Sequence, residues 1–252
     1  MLAFIPLSGR GADFIETPLL PLVYLIASGI IAMAIGDSIY IKSLSVLDAS
    51  IAFPIAQCSF PVLTVLVAVF LLGESFTWVT GAGAVLVVLG IYLIAAAGKR
   101  AKIPSLQEAV SGKGVIFALM AAAAWTAAAA MLKIGVTGID AFVAAGIRIS
   151  VSAIVLSFFA LRRRKKGTLQ FRQYGLRSLI LAAGAGILAY GVAGVGYVTA
   201  MQLIGAGRTV LLTATAPLFL VPFSILILKE RPTRYTIAGI FVCVGGICLI
   251  VV

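Results

Sequence analysis

Eight apolar runs divide the chain, at about 19–43, 49–72, 78–97, 114–133, 139–161, 178–201, 208–228 and 235–252, and short charged or Gly/Pro-bearing segments separate them. Each is close to the ~20 residues with which an α-helix, rising about 1.5 Å per residue, crosses ~30 Å of hydrocarbon. The apolarity is continuous rather than alternating, which fits helices and not the strands of a closed barrel. The pattern therefore predicts an all-α integral membrane protein with about eight transmembrane helices. Glycine and proline recur inside the runs, with Pro54 and Pro61 in the second and Pro217 and Pro222 in the seventh, as membrane helices tolerate. The opening MLAFIPLSGRGADF has no basic n-region, and its apolar stretch is too short for a signal peptide or a span.

The runs are not independent of one another. Gly90-Ile91-Tyr92-Leu93-Ile94 returns as Gly246-Ile247-Cys248-Leu249-Ile250, an offset of 156 residues. At that offset Pro61 falls on Pro217, Glu74 on Glu230 and Gly83 on Gly239, while Tyr40 meets Tyr197 after a one-residue slip. Five predicted spans lie between Glu74 and Glu230, and an odd number of crossings puts equivalent points on opposite faces of the membrane. The two halves are thus inverted repeats, a recurring construction of secondary transporters in which one half rocks against the other around a midplane site. The second repeat, 113–252, has five spans, but the first, 1–98, shows three. Met1 falls opposite Ser157, so the chain is expected to begin two helices late. A start assigned at an internal Met and a true eight-span derivative both fit.

Composition sharpens the class. Hydrophobic residues fill 62% of 252 positions and charged residues 11%, against about 25% charged in a soluble domain. The net charge of +11 comes from basic residues lying between apolar runs, where they act as topology signals and not as a nucleic-acid surface. Fifteen of them, among them Lys42, Lys99, Arg162, Arg177 and Arg234, fall on one predicted face, against Arg10, Lys133 and Arg208 on the other. The positive-inside rule makes the first face cytoplasmic and places Val252 outside. Cys58, Cys243 and Cys248 lie inside apolar runs without a ligand pattern and read as packing residues. With no His in the chain there is no HExxH zinc site and no Ser-His-Asp triad, and GxxxxGK[ST] does not occur. Ala34-Ile35-Gly36-Asp37 lacks the first Gly of the GxGD pattern of an intramembrane aspartyl protease. The expectation is a protein that is not an enzyme, uses no cofactor and draws on a gradient or a partner for energy.

Ala124-Trp125, Lys133 at the end of the same helix and Arg148 in the next form one set of recurring residue types. The Tyr-to-Pro-to-Glu run occurs twice, as Tyr40, Pro61 and Glu74 and as Tyr197, Pro217 and Glu230. On these residues, over nearly its whole length, the chain resembles the EamA-type transporters of the drug/metabolite transporter superfamily. The resemblance implies ten helices in two inverted five-helix repeats and the export of amino acids, drugs or other metabolites. Related branches carry sugar derivatives or flip lipid-linked precursors. The departure is the missing first two helices. The family's termini are usually described as both cytoplasmic, in conflict with the charge reading of Val252.

The expected function is transport of a small polar metabolite by alternating access in the plasma (cell inner) membrane. A lipid-precursor flippase and a non-transporting membrane scaffold are the alternatives. Expected partners are a small-molecule substrate and membrane lipids but no nucleic acid, and a homo-oligomer is left open. Arg148, nine residues into its predicted span, lies about 13 Å along the axis, where a charge costs at least ~2.5 kcal/mol. It is either a contact for an anionic or zwitterionic substrate or a structural ion paired with carbonyls or with Asp37. Asp37 either takes that role, or titrates and couples transport to protons, or sits near a helix end in interfacial water, with Tyr40 on the same face. Gln57, Ser59, Thr213 and Thr215 flank the prolines, where freed carbonyls can bind solute or helices simply bend. Trp125 and Tyr190 close over a substrate or pack. Tyr197, the repeat mate of Tyr40, completes the candidate binding set, whereas Glu74 and Glu230 read as loop anchors or caps.

Overall fold

A computed structural model of the chain describes residues 18–47, 49–75, 77–100, 112–165, 175–215 and 234–251. Within them the chain runs through α1 (Leu19–Leu44), α2 (Ala49–Phe70), α3 (Trp78–Arg100) and α4 (Gly112–Gly135). It continues through α5 (Ala141–Lys165), α6 (Leu176–Thr213) and α7 (Arg234–Val251), and no strand occurs among the described residues. α1, α4, α5 and α6 are long and apolar enough to cross a membrane, and α2, α3 and α7 contain shorter apolar stretches. The helix ends follow from local chemistry. Asp140 Oδ1 accepts the backbone N–H groups of Phe142 at 2.9 Å and Val143 at 3.3 Å, which satisfies orphan donors at the start of α5. The Gln202 amide donates to the carbonyls of Val136 at 3.0 Å and Ile139 at 2.6 Å, beyond the last turn of α4.

The boundary expected between the sixth and seventh spans, over 202–207, falls at Gly205 (φ 84, ψ 175), a single non-helical residue between two helical arms of α6. That conformation is open to glycine and disfavoured for residues with a Cβ. The rest of the predicted seventh span, with Pro217, Pro222 and Glu230, lies outside the described residues. The prolines of α2 do not break it either, since Ala49–Phe70 is one α-helix through Pro54 and Pro61.

Two stretches leave α geometry for a π-helix, Ile30–Gly36 in α1 and Ile187–Val192 in α6. They start 157 residues apart, the same offset that relates Tyr40 to Tyr197. An extra residue in a turn rotates all that follows by about 100° at 3.6 residues per turn. The repeat is therefore written into the backbone as well as into the residues.

Contacts divide the chain into two compact units, Met1–Ile35 with Ala127–Ile204 and Gly36–Thr126 with Gly205–Val252. In the first, α1 lies against α5 at Gly29, where a Cβ would stand 2.7 Å from the Arg148 carbonyl oxygen and 3.0 Å from Ser152 Oγ. Small residues allow this approach, as is usual in membrane helix packing. Leu25, Leu132, Val143 and Met201 are fully buried in the same unit.

In the second unit α3 and α7 cross closely. A Cβ on Gly90 would come 2.7 Å from the Gly239 carbonyl oxygen, and one on Gly246 would come 2.7 Å from that of Gly83. Adding 156 to Gly90 gives Gly246 and to Gly83 gives Gly239, so each contact is the image of the other. At the centre Val87 meets its own image, Cys243, whose thiol donates to the Val87 carbonyl at 3.6 Å. Only an antiparallel pair satisfies both glycine contacts, so this crossing carries the inversion that the repeat predicts. Val87, Leu211, Ala214 and Cys243 form the buried apolar cluster there, with Cys58 packed against it. Cys58 and Cys243 thus pack as expected, whereas Cys248 is exposed.

Candidate functional site

In the second unit, polar and aromatic side chains meet where α1, α2 and α4 come together. Trp125 of α4 donates its indole N–H to Asp37 Oδ1 at 2.9 Å. Asp37 follows directly on the π segment of α1, and Tyr40, one turn on, brings its ring 5.4 Å from that of Trp125 at 53°. Phe60 of α2 stands edge-on to the same indole, with centroids 5.8 Å apart at 69°. One turn further along α2 and one residue further along α4, Thr64 and Thr126 share a hydrogen bond of 3.2 Å, and Thr64 also donates to the Phe60 carbonyl at 2.8 Å. Gln57, Phe60 and Thr64 are spaced to share one face of α2. Asp37, Tyr40, Gln57, Phe60 and Trp125 are all half-buried, neither sealed nor freely solvated. Asp37 lies in the last helical stretch of α1, Asp37–Leu44.

The first unit holds the deep cation. Arg148 is 6% exposed, and its Nε donates to Ser28 Oγ at 2.9 Å. Ser28 in turn donates to the Leu25 carbonyl at 2.8 Å, so its oxygen is fixed in place. Ser152 donates to the Arg148 carbonyl at 2.7 Å. Tyr197 lies near enough for electrostatic interaction with the guanidinium. Within its own unit each candidate ion has a neutral hydrogen-bond partner: Ser28 for Arg148 and the Trp125 indole for Asp37. Lys133 donates to the Met201 carbonyl at 3.1 Å in the same unit, an anchoring role.

The remaining candidates fall elsewhere. Thr213 is exposed and bonds back to the Val210 carbonyl at 2.9 Å, and Thr215 does the same to Leu212 at 2.6 Å. These hydroxyls serve their own helix. Tyr190 lies in the π segment of α6 and lines an open groove of about 1020 Å³ between α5 and α6, with Phe142, Ile149, Ile154, Ile187 and Val195. Glu74 acts as a cap: its carboxylate accepts the N–H groups of Ala206 at 2.6 Å and Gly207 at 3.1 Å, at the start of the arm of α6 beyond Gly205. Its mate Glu230 lies outside the described residues.

Sequence reasoning missed Ser28 and Phe60, the first an unremarkable hydroxyl 120 positions from its partner Arg148 and the second one aromatic among 14 phenylalanines. The spacing of Phe60 to Gln57 and Thr64 was a usable signal. It also missed the π segments, which no residue type announces.

Sequences and structures already known place this arrangement. The EamA-like transporter family matches residues 1–96 and 112–252. An uncharacterized transporter of Archaeoglobus fulgidus (strain ATCC 49558 / DSM 4304 / JCM 9628 / NBRC 100126 / VC-16) is 26% identical over 247 residues, 98% of this chain and 82% of that protein. The uncharacterized transporter YoaV of Bacillus subtilis (strain 168) is 28% identical over 123 residues, 47% of this chain and 39% of that protein. A solved crystal structure shares the fold with a TM-score of 0.76 at 20% identity, over 99% of this chain and 81% of that one. With two matched segments, the apolar helices and the inverted crossing of α3 and α7, the chain is an integral membrane protein that belongs to the EamA-like transporter family.

Proposed function

We propose that this protein moves a small polar metabolite bearing a carboxylate or similar anionic group across the plasma membrane by alternating access. The observation that carries the reading is the state of Arg148. A guanidinium presents five N–H donors. One is spent on Ser28, and the four on the terminal nitrogens meet no acceptor among the described residues. A charge held in the membrane interior costs at least ~2.5 kcal/mol on insertion scales. A lasting site needs something in return, and a carboxylate accepting two parallel bonds from the terminal nitrogens supplies it. The inverted crossing of α3 and α7 supports alternation, since two inverted halves can exchange conformations and so expose a site to each side in turn.

The test is counterflow in proteoliposomes against a panel of small carboxylates and zwitterions. Arg148→Lys keeps the charge but loses the planar fork, so the half-saturating concentration of a carboxylate substrate is expected to rise about tenfold, or ~1.4 kcal/mol. Arg148→Gln is expected to abolish carboxylate counterflow while the protein still inserts. Unchanged affinity in well-folded Arg148→Gln protein would overturn the proposal. So would a wild-type protein that moves no small solute, the outcome a scaffold gives.

A further inference from the structure

We propose that the groove between α5 and α6 binds an anionic phospholipid, with its acyl chains along the apolar walls and its headgroup on the arginines at the membrane surface. Both helices belong to the first unit over this stretch, and nothing in the proposal depends on Arg148.

The walls come first. The groove holds about 1020 Å³, at the top of the ~300–1,000 Å³ range of small-molecule sites. Apart from Ser150 and Tyr190 its lining is apolar, and Ile154, Ile187 and Val192 remain exposed. Both walls are helices long and apolar enough to span, so hydrocarbon and not water meets them. Apolar walls alone would accept any acyl chain. The choice of lipid is made at one end of the groove.

That end is basic. Between Asp140 and Glu230 the chain carries no Asp or Glu, while seven Lys and Arg fall within 162–177. Ten residues separate Lys165 from Leu176, too few to recross the membrane, so the end of α5 and the start of α6 share a face. α5 closes on Arg162, Arg163, Arg164 and Lys165, and successive residues turn by about 100°, so the four cover most of the helix circumference. Arg164 stands 11 residues, close to three turns, beyond Ala153 and returns to the groove's side of the helix by register. On the other wall Arg177 is exposed, six residues before Ala183. Arg162 is exposed as well, with its guanidinium 4.2 Å from the Phe158 ring centre. A guanidinium on a ring face keeps its N–H edge for an anion. Asp140 caps the opposite end of α5, so the two ends of this wall differ in sign.

The lengths agree. One leaflet offers about 15 Å of hydrocarbon below a headgroup layer of about 5–7 Å. Ile149 lies 13 residues from Arg162, about 20 Å along α5. A headgroup at the arginines therefore lays its chains against Ile149 and Ile154 on one wall and Ala183 and Ile187 on the other. A neutral lipid leaves the cations unmatched, and a free phosphate leaves the walls unused. A second copy of the chain, in the same orientation, would set one ring of arginines against another. Basic pockets between spanning helices are suited to anionic headgroups.

To test this, the full chain is purified in a neutral detergent and titrated with dioleoyl phosphatidylglycerol or dioleoyl phosphatidylcholine, and native mass spectrometry counts the lipids retained. The expected result is one phosphatidylglycerol held about tenfold more tightly than phosphatidylcholine, as several cations at an anionic surface give. Arg162→Gln, Arg164→Gln and Arg177→Gln together should remove that preference. Arg234→Gln, at an exposed position at the start of α7, should leave it unchanged. Ala183→Phe fills the groove and keeps every charge, so it should weaken retention several-fold. Ala153→Phe does the same from the other wall and decides if the first variant does not fold. Equal retention of the two lipids, an unchanged preference in the triple variant, or unchanged retention in the phenylalanine variants would overturn the proposal. So would displacement of the lipid by inorganic phosphate, the mark of a free-anion site, or a dimer that excludes it, the mark of an interface between copies. Arg148 is intact in every variant and neither lipid is a small carboxylate, so this result stands apart from the transport test.

Discussion

The two π segments have the same backbone and different surroundings. Ile30–Gly36 is partly sunk in the protein, with Ala34 and Gly36 buried, and it leads into Asp37 and Tyr40, which meet Trp125. Ile187–Val192 has no buried residue, and the helical stretch before it, Leu176–Gly186, has none either. It leads into Gly194 and Tyr197, the latter beside Arg148. The repeat thus keeps the distortion of the helix and the tyrosine that follows, while the charged partner changes sign: a carboxylate beside one tyrosine, a guanidinium beside the other. What the two halves share is geometry, and what distinguishes them is chemistry. Duplicated backbone here carries a different ion in each half.

The shared part breaks most easily at the crossing of α3 and α7. Gly90→Ala and Gly246→Ala each drive a Cβ into backbone atoms of the facing helix, at 2.7 Å from a carbonyl oxygen in both cases. Neither can be relieved by moving a flexible side chain. Each substitution should lower stability by about 3 kcal/mol, the upper part of the usual range for overpacking. Unfolding in mixed micelles would measure it. Equal losses at the two positions are expected if the crossing is symmetric, and a large loss at one with none at the other would contradict the repeat.

Much of the fold was legible because the physics that sets it is local. A run of about twenty apolar residues must span as a helix, and matched glycines 156 residues apart report a place where two backbones touch. The break at Gly205 falls inside the boundary expected at 202–207, but its shortness was not legible: a single glycine with φ 84 makes the connection, and Glu74, distant in sequence, supplies the cap for the arm that follows. At the candidate site, charge drew attention to Arg148 and Asp37 but did not point to the Ser28 hydroxyl and the Trp125 indole that hydrogen-bond to them. A neutral hydroxyl or indole leaves no signature in hydropathy, so such contacts appear only when the helices are placed. Thr213, a hydroxyl near the prolines, donates to the Val210 carbonyl of its own helix at 2.9 Å.

The next effect separates the surroundings of the two π segments. Gly29 immediately precedes the first, and a Cβ there would stand 2.7 Å from the Arg148 carbonyl and 3.1 Å from Arg148 Cα. Gly29→Ala should therefore push α1 and α5 apart and cost about 2 kcal/mol. The same shift carries Ser28 away from Arg148 Nε, so the loss should extend to function. Carboxylate affinity in counterflow is expected to fall in the protein that still folds. Wild-type stability and affinity together would show that the contact at Gly29 does not hold the guanidinium in place.

The smallest effect is the sharpest, because it asks for an opposite sign at the equivalent residue. Gly186 precedes the second π segment at the 157-residue offset from Gly29, and no atom lies within 4 Å of a Cβ built there. Its backbone is ordinary helix, with φ −63 and ψ −42, which alanine adopts without strain. Alanine loses less backbone freedom on folding than glycine, so Gly186→Ala should stabilise the protein by about 0.5 kcal/mol. Set against a loss of about 2 kcal/mol for Gly29→Ala, the pair reads the environment of each π segment with one chemical change. The unfolding midpoint in mixed micelles is the measurement. A loss at Gly186 as large as that at Gly29 would mean that the exposed face of α6 is covered by something that packs as closely as α5 packs on α1, and the contrast between the two segments would disappear.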